Sequence, residues 1–163
     1  MIPTSKLREA KKVVAAYKAH AEKIKKALSG NSGTAPRTSP PTWSVSWRAR
    51  ARVYGCESSA TSVLTYAGLA PTDFVKGAED GLMVEVSPEQ INKAEADVIF
   101  YTSYGSKEKS RESKVTGGPL WQNMSAVKNG QTHRVDDETS LMGIGYTAAD
   151  KILDGVQERL AKK

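Results

Sequence analysis

Three arginines at alternate positions, Arg48, Arg50 and Arg52, form the densest grouping of chemistry-bearing side chains in the sequence. Arginine stays charged at any physiological pH and offers a planar fork of donors, a shape suited to carboxylates and to oxygen-rich anionic chelates. A solvated strand face would account for the same three residues equally well. A second grouping follows an apolar run, where Tyr101 and Tyr104 flank Thr102 and Ser103. Tyr101 continues that run and reads first as a core ring. Tyr104, set between Ser103 and Gly105, is better placed to meet a ligand. Other chemistry is thinly represented. His20 and His133 lack metal-ligand spacing, and His20, among lysines, reads as a surface residue. Cys56 stands alone and reads as a free, partly buried thiol. Asp136, Asp137 and Glu138 read as a solvated loop. Gly143-Ile144-Gly145 follows no clear strand and lacks the third glycine of a dinucleotide fingerprint. No phosphate-binding loop and no nucleophile–base arrangement can be read, so the sequence argues against an enzyme.

The elements that must position these groups are legible from periodicity. Leu7, Ala10, Val14, Tyr17, Ala21, Ile24 and Leu28 recur every three or four residues, which predicts one long helix over 5–29. Thr4 or Ser5 can cap it and Gly30 can end it. About 25 helical residues reach roughly 37 Å. Such a stripe suits a coiled-coil seam or a helix laid across a larger body, and without a second heptad segment the latter is favoured. A turn-rich connector, 31–42, leads to strict alternation over 43–54. Trp43, Val45, Trp47, Ala49, Ala51 and Val53 form one set, and Ser44, Ser46, Arg48, Arg50, Arg52 and Tyr54 the other. Alternation predicts an extended segment with an apolar and an arginine-bearing face, bent or folded into a hairpin at a point the pattern does not fix. Trp43 and Trp47 then read as core residues.

Ser58 or Ser59 can cap a helix ending at Gly68, and 69–86 reads as loop. Ser87-Pro88-Glu89-Gln90 predicts a capped helix start, with the helix ending near Ala96. Residues 97–102 are an apolar strand of the kind buried on both faces, and 106–115 a polar loop or exposed helix. Trp121 reads as a packing anchor, Thr132–Val135 as a short strand, and Thr147 as the cap of a final helix. Helices and strands alternate, which argues for a three-layer, Rossmann-like α/β lobe with a mostly parallel sheet behind the long helix. In such sheets ligands bind beyond the carboxyl ends of the strands.

Bulk properties fit one domain. The 163 residues are 39% hydrophobic and 26% charged, and no run approaches the length of a membrane span. The net charge of +6 permits nucleic acid, an anionic surface or an anionic small ligand as partner. Nucleic acid is disfavoured because alternation sends Trp43 and Trp47 away from the arginines, whereas stacking sites interleave aromatics with basic residues.

The order of fragments resembles the second lobe of the helical-backbone (class III) substrate-binding proteins of ABC importers, above all the ferric-siderophore branch. The fragments are the helix 5–29, the extended segment 43–54, Gly55-Cys56-Glu57-Ser58 with Gly68-Leu69, and Ser87-Pro88-Glu89-Gln90. They continue with Ala96-Asp97-Val98-Ile99-Phe100, Pro119-Leu120-Trp121, Ala126-Val127-Lys128-Asn129-Gly130 and the helix 147–162. The resemblance implies an interlobe helix over 1–30 and a C-terminal lobe over 31–163, with an N-terminal lobe and export signal not represented in this chain. It implies a non-enzymatic, monomeric role outside the cytoplasm, on a periplasmic or lipoprotein parent. That parent would bind a ferric siderophore as transported ligand, with no covalent cofactor, and deliver it to ABC permease subunits. Haem or cobalamin is the related alternative, and a basic module binding a partner helix or nucleic acid the unrelated one. Arg48 and Arg50 would supply charge to the chelate, Tyr104 and Tyr101 an aromatic wall, and Glu108 and Glu112 carboxylates for the permease. Ser140 stands where that branch often has an aromatic, so no ring contact is implied there.

Overall fold

The structure, a computed structural model, describes residues 4–30, 42–47, 50–55, 57–103, 112–136, 138 and 145–161. Arg48, Cys56, Tyr104, Glu108, Asp137 and Ser140 lie outside them. The apolar stripe at the start of the chain forms helix α1 (Thr4–Gly30). Its two halves differ. Ala21 and Ile24 are buried while Leu7 is about half exposed, so cover over the stripe increases towards its C-terminal end.

The alternating segment is a hairpin of β1 (Thr42–Trp47) and β2 (Arg50–Tyr54), paired from Trp43 opposite Tyr54 to Trp47 opposite Arg50. This corrects the two-faced reading. Directly paired positions share a face, so reversal between Trp47 and Arg50 puts the positions of Trp43, Val45 and Trp47 with those of Arg50, Arg52 and Tyr54. Ala51 and Val53 belong to the opposite face and are buried there. Both faces of this sheet are covered, so alternation could not separate an inside from an outside.

Ser58 caps α2 (Ser59–Tyr66), its hydroxyl oxygen accepting the Thr61 amide at 3.3 Å. After α2 the Leu69 amide reaches back to the Leu64 carbonyl at 3.0 Å, and Gly68 makes the turn with φ of 92°. This is a glycine helix stop, since other residues rarely adopt that φ. The stretch 69–86 is more ordered than a loop. It holds a 3₁₀ turn (Asp73–Gly77) and strand β3 (Met83–Val86), which pairs antiparallel with β2. The Ser87–Ala96 stretch is a 3₁₀ turn over Pro88–Ala94, and the Ser87 side chain makes no capping bond.

Strand β4 (Ile99–Ser103) runs parallel to β1, and β5 (Thr132–Arg134) parallel to β4. Between them lie three short helices, α3 (Glu112–Thr116), α4 (Pro119–Gln122) and α5 (Ser125–Lys128). Helix α6 (Tyr146–Val156) begins after Gly145 rather than at Thr147, and a wider turn, Gln157–Ala161, extends it.

The sheet order is β3-β2-β1-β4-β5, and every strand but β2 runs the same way. One face carries a core of Val98 and Phe100 under Ala21 and Ile24 of α1, Leu64 of α2 and Leu153 of α6. The other carries Ala51, Val53, Val86 and Ile99 under Ile91, Trp121, Met124 and Ala126. This is the expected three-layer α/β lobe. Trp121 is 4% exposed and anchors the second core. Glu95 ties the short helices down, its carboxylate accepting the Ser125 and Ala126 amides at 2.9 and 3.4 Å. Those are the otherwise unpaired first donors of α5.

Candidate functional site at the carboxyl edge of the sheet

The shared direction of β1, β4 and β5 brings Trp47, Ser103 and Arg134 to one edge of the sheet, and reversal of β2 brings Arg50 there as well. Arg50 is thus placed at the edge where a ligand would meet this kind of sheet. Arg52 is set further back. It pairs with Glu85 on the neighbouring strand β3, its Nε and Nη2 donating to Oε1 at 3.3 and 3.2 Å. A cross-strand ion pair accounts for that residue.

Tyr101 is half-buried on β4, its ring edge-on to Trp121 with 5.4 Å between centroids. Burial raises the phenol pKa above its ordinary value of 10.0; the Glu112 carboxylate adds to this and Arg134 opposes it. The hydroxyl therefore stays protonated throughout the physiological range.

Glu112 is corrected most sharply. A docking carboxylate on an exposed segment was expected, yet Glu112 is 7% exposed at the start of α3. Its carboxylate is held from two sides. The Ser103 hydroxyl, at the end of β4, donates to Oε2. Arg134, at the end of β5, donates from Nε to Oε1 at 3.0 Å and from Nη2 to Oε2 at 3.4 Å. Arg134 Nη2 also lies 3.5 Å from Ser103 Oγ. A carboxylate this deeply buried requires such partners, because an unpaired buried charge costs several kcal/mol. The pair is oriented as well as bonded. Glu112 is inside and the Arg134 side chain is 39% exposed, so the arginine is the member of the pair within reach of solvent.

The space below the pair is closed. A cavity of about 10 Å³ between Ala51, Tyr101, Glu112 and Trp121 holds at most one water. Among the described residues, that cavity offers no room for a ligand beneath the pair. A larger hollow of about 280 Å³ opens beyond β5 beside α6. Its charged rim is Asp136, Asp154 and Glu158 against Lys151 and Arg159, a balance that suits an anion poorly. Among the described residues no group of three or more His, Cys, Asp or Glu side chains could hold a metal ion. Among them, too, no helix is long and apolar enough to cross a membrane.

The structure thus brings Tyr101, Ser103 and Glu112 together with Arg134, which the sequence reading left without a role, while Arg50 holds a position at the same end of the sheet but on its opposite face. The signal for Arg134 was present. It lies one residue before the end of a strand candidate, Thr132–Val135, that runs parallel to the tyrosine-bearing strand, so both strands end on one edge.

Comparison with known proteins sets this edge in context. A model of a periplasmic binding protein family matches residues 4–139. Two curated proteins of Bacillus subtilis (strain 168) are similar to parts of the chain. A probable siderophore-binding lipoprotein, YfiY, is 36% identical over 80 residues, 47% of this chain and 25% of that protein. An Fe(3+)-citrate-binding protein, YfmC, is 40% identical over 84 residues, 52% of this chain and 26% of that protein. The matched segments thus span about a quarter of the curated relatives' length. Among solved structures, Staphylococcus aureus SirA superposes with a TM-score of 0.82 at 22% identity, covering 96% of this chain and 60% of that one. SirA complexed with staphyloferrin B superposes at 0.79, also at 22% identity, over 94% and 55%.

Proposed function

Because the chain belongs to the periplasmic binding protein family, we propose that it is a solute-binding lobe for a ferric siderophore. In this reading residues 1–30 supply the helix between lobes and 31–163 the C-terminal lobe, which contributes one wall of the ligand cleft. The observation that carries it is the solvent-accessible Arg134 at the carboxyl edge of the parallel strands. Charged forks at that edge match a chelate presenting carboxylates or other anionic oxygens. Arg48, Arg50 and Tyr104 are the sequence's own choices for ligand contacts, with Tyr101 behind them. The wording of the relatives' names, siderophore-binding and Fe(3+)-citrate-binding, agrees with such a ligand. The protein then acts without catalysis, outside the cytoplasm, and hands its ligand to a membrane permease. Glu108 remains the acidic residue proposed for that docking, while Glu112 is withdrawn from it by its burial.

Titration of the chain with ferric and iron-free chelates, followed by tryptophan and tyrosine emission, tests the reading. Saturable quenching by at least one ferric chelate and weaker response to its iron-free form are expected. Silence across a broad siderophore panel overturns it.

A further inference from the structure

We infer that Glu112 is a positioning residue: its buried carboxylate, braced by Ser103, holds the Arg134 guanidinium at the sheet edge as the fixed anion anchor of this lobe. The inference rests on the solute-binding reading and deepens it by assigning a residue that does not itself touch ligand. Three observations carry it. The two carboxylate oxygens meet Nε and Nη2 of one guanidinium, the side-on fork geometry that fixes both the position and the plane of the group. Ser103 fixes the carboxylate in turn from the last position of β4, so the anchor is tied to a strand rather than to a loop. Exposure rises from Glu112 to Arg134, so the arginine side chain, not the carboxylate, is the part of the pair that solvent reaches.

A site that must bind an anion gains nothing by Coulomb attraction from an acidic side chain placed just beneath it. What it gains is a cation already ordered before the ligand arrives. An unsupported arginine gives up considerable rotamer freedom when it is fixed on a ligand. Here that ordering is complete in the fold. The two roles of Glu112, charge and brace, therefore have opposite signs, which makes them separable.

The test uses gallium(III) citrate, a diamagnetic anionic chelate, titrated into the 163-residue chain by ¹H–¹⁵N NMR, with Glu112→Gln, Arg134→Gln and the double variant. If Glu112 acted through its charge alone, Glu112→Gln would tighten binding. Positioning predicts the reverse, a loss of about tenfold, as expected for a misplaced charge-assisted bond. It also predicts no further loss when Glu112→Gln is added to Arg134→Gln. The Arg134 Nε–H resonance should exchange slowly in the parent chain and rapidly in Glu112→Gln.

Unchanged or tighter binding by Glu112→Gln overturns the inference. Should that variant melt without cooperativity, Ser103→Ala removes the brace with no change of charge; a loss of about threefold supports the inference and unchanged affinity overturns it. A chain that binds a neutral hydroxamate chelate but not gallium citrate overturns the anchor while leaving the solute-binding reading standing. Failure to bind any chelate overturns both.

Discussion

His20 joins the long helix to the end of the chain through its ring. Nδ1 lies 2.7 Å from Asp150 Oδ1, and Nε2 lies 3.1 Å from Gln157 Oε1 with Asp154 Oδ1 at 3.7 Å. Both ring nitrogens face oxygen atoms, and the imidazolium can donate to both at once. The bond to Asp150 raises the pKa above 6.5, burial opposes it, and Gln157 and Asp154 add to the rise. A histidine whose folded pKa is raised contributes stability in full below its unfolded value. That contribution is lost as the pH climbs through the folded value. Asp150 and Asp154 are themselves half or more exposed, so solvent screens the pair and the contribution is about 1 kcal/mol or less. His20→Ala should therefore lower the melting temperature by about 2–4 °C at pH 5.5 and by clearly less at pH 8.5. Calorimetry at the two values decides it, and an equal deficit at both rejects a charged clamp. Sequence alone made His20 a surface residue among lysines, because its partners lie 130 and 137 positions away.

At the scale of elements, the same helix poses a question of docking. Ile24 is 1% exposed against α2 and α6, whereas Leu7, on the same stripe seventeen residues earlier, is 49% exposed. Ile24→Ala should cost about 2–4 kcal/mol through lost burial and the cavity left behind. Leu7→Ala should change stability by less than about 0.5 kcal/mol in this chain. Urea denaturation measures both, and a similar cost at the two sites would mean that the whole helix is packed. The sequence displayed the stripe but not its division, since periodicity reports which residues share a face and not how much of that face is covered. The hairpin shows the same limit. Alternation over 43–54 predicted a bend or hairpin without placing its turn, and both faces of the sheet are covered, so the tryptophan and arginine positions were assigned to opposite sides in error. β3 was missed because a four-residue edge strand carrying Glu85 outward barely differs from a loop. The buried run Val98–Phe100, by contrast, could be read directly, since a central parallel strand is apolar throughout. The site was half legible. Its edge followed from strand direction, while the Glu112–Arg134 bridge joins residues 22 apart whose meeting depends on how α3 packs beside β5.

For the whole molecule, what matters is how little of a ligand the described residues at the proposed binding edge can enclose. The cavity beneath it has room for at most one water, and Arg134 stands partly in solvent. The chain spans 60% of SirA, and ligand pockets generally enclose most of their ligand. One wall alone should therefore bind gallium or ferric citrate only weakly, with a Kd of about 1 mM. Its attraction is mainly charge acting through water. The screening length falls from about 10 Å at 0.1 M salt to about 3 Å at 1 M. Binding of the anionic chelate should thus weaken by about threefold or more between 50 and 500 mM sodium chloride. The net charge of +6 would by itself draw any anion loosely to the surface. Arg134→Gln separates the two effects, since it removes a single charge of many, chosen at the edge. A local anchor predicts that this variant loses most of the affinity at 50 mM salt and most of the salt dependence with it. A diffuse field predicts that both survive nearly intact. Titrating the parent chain and the variant at both salt concentrations distinguishes these outcomes, and survival of both would remove the sheet edge as the place where the chelate is held.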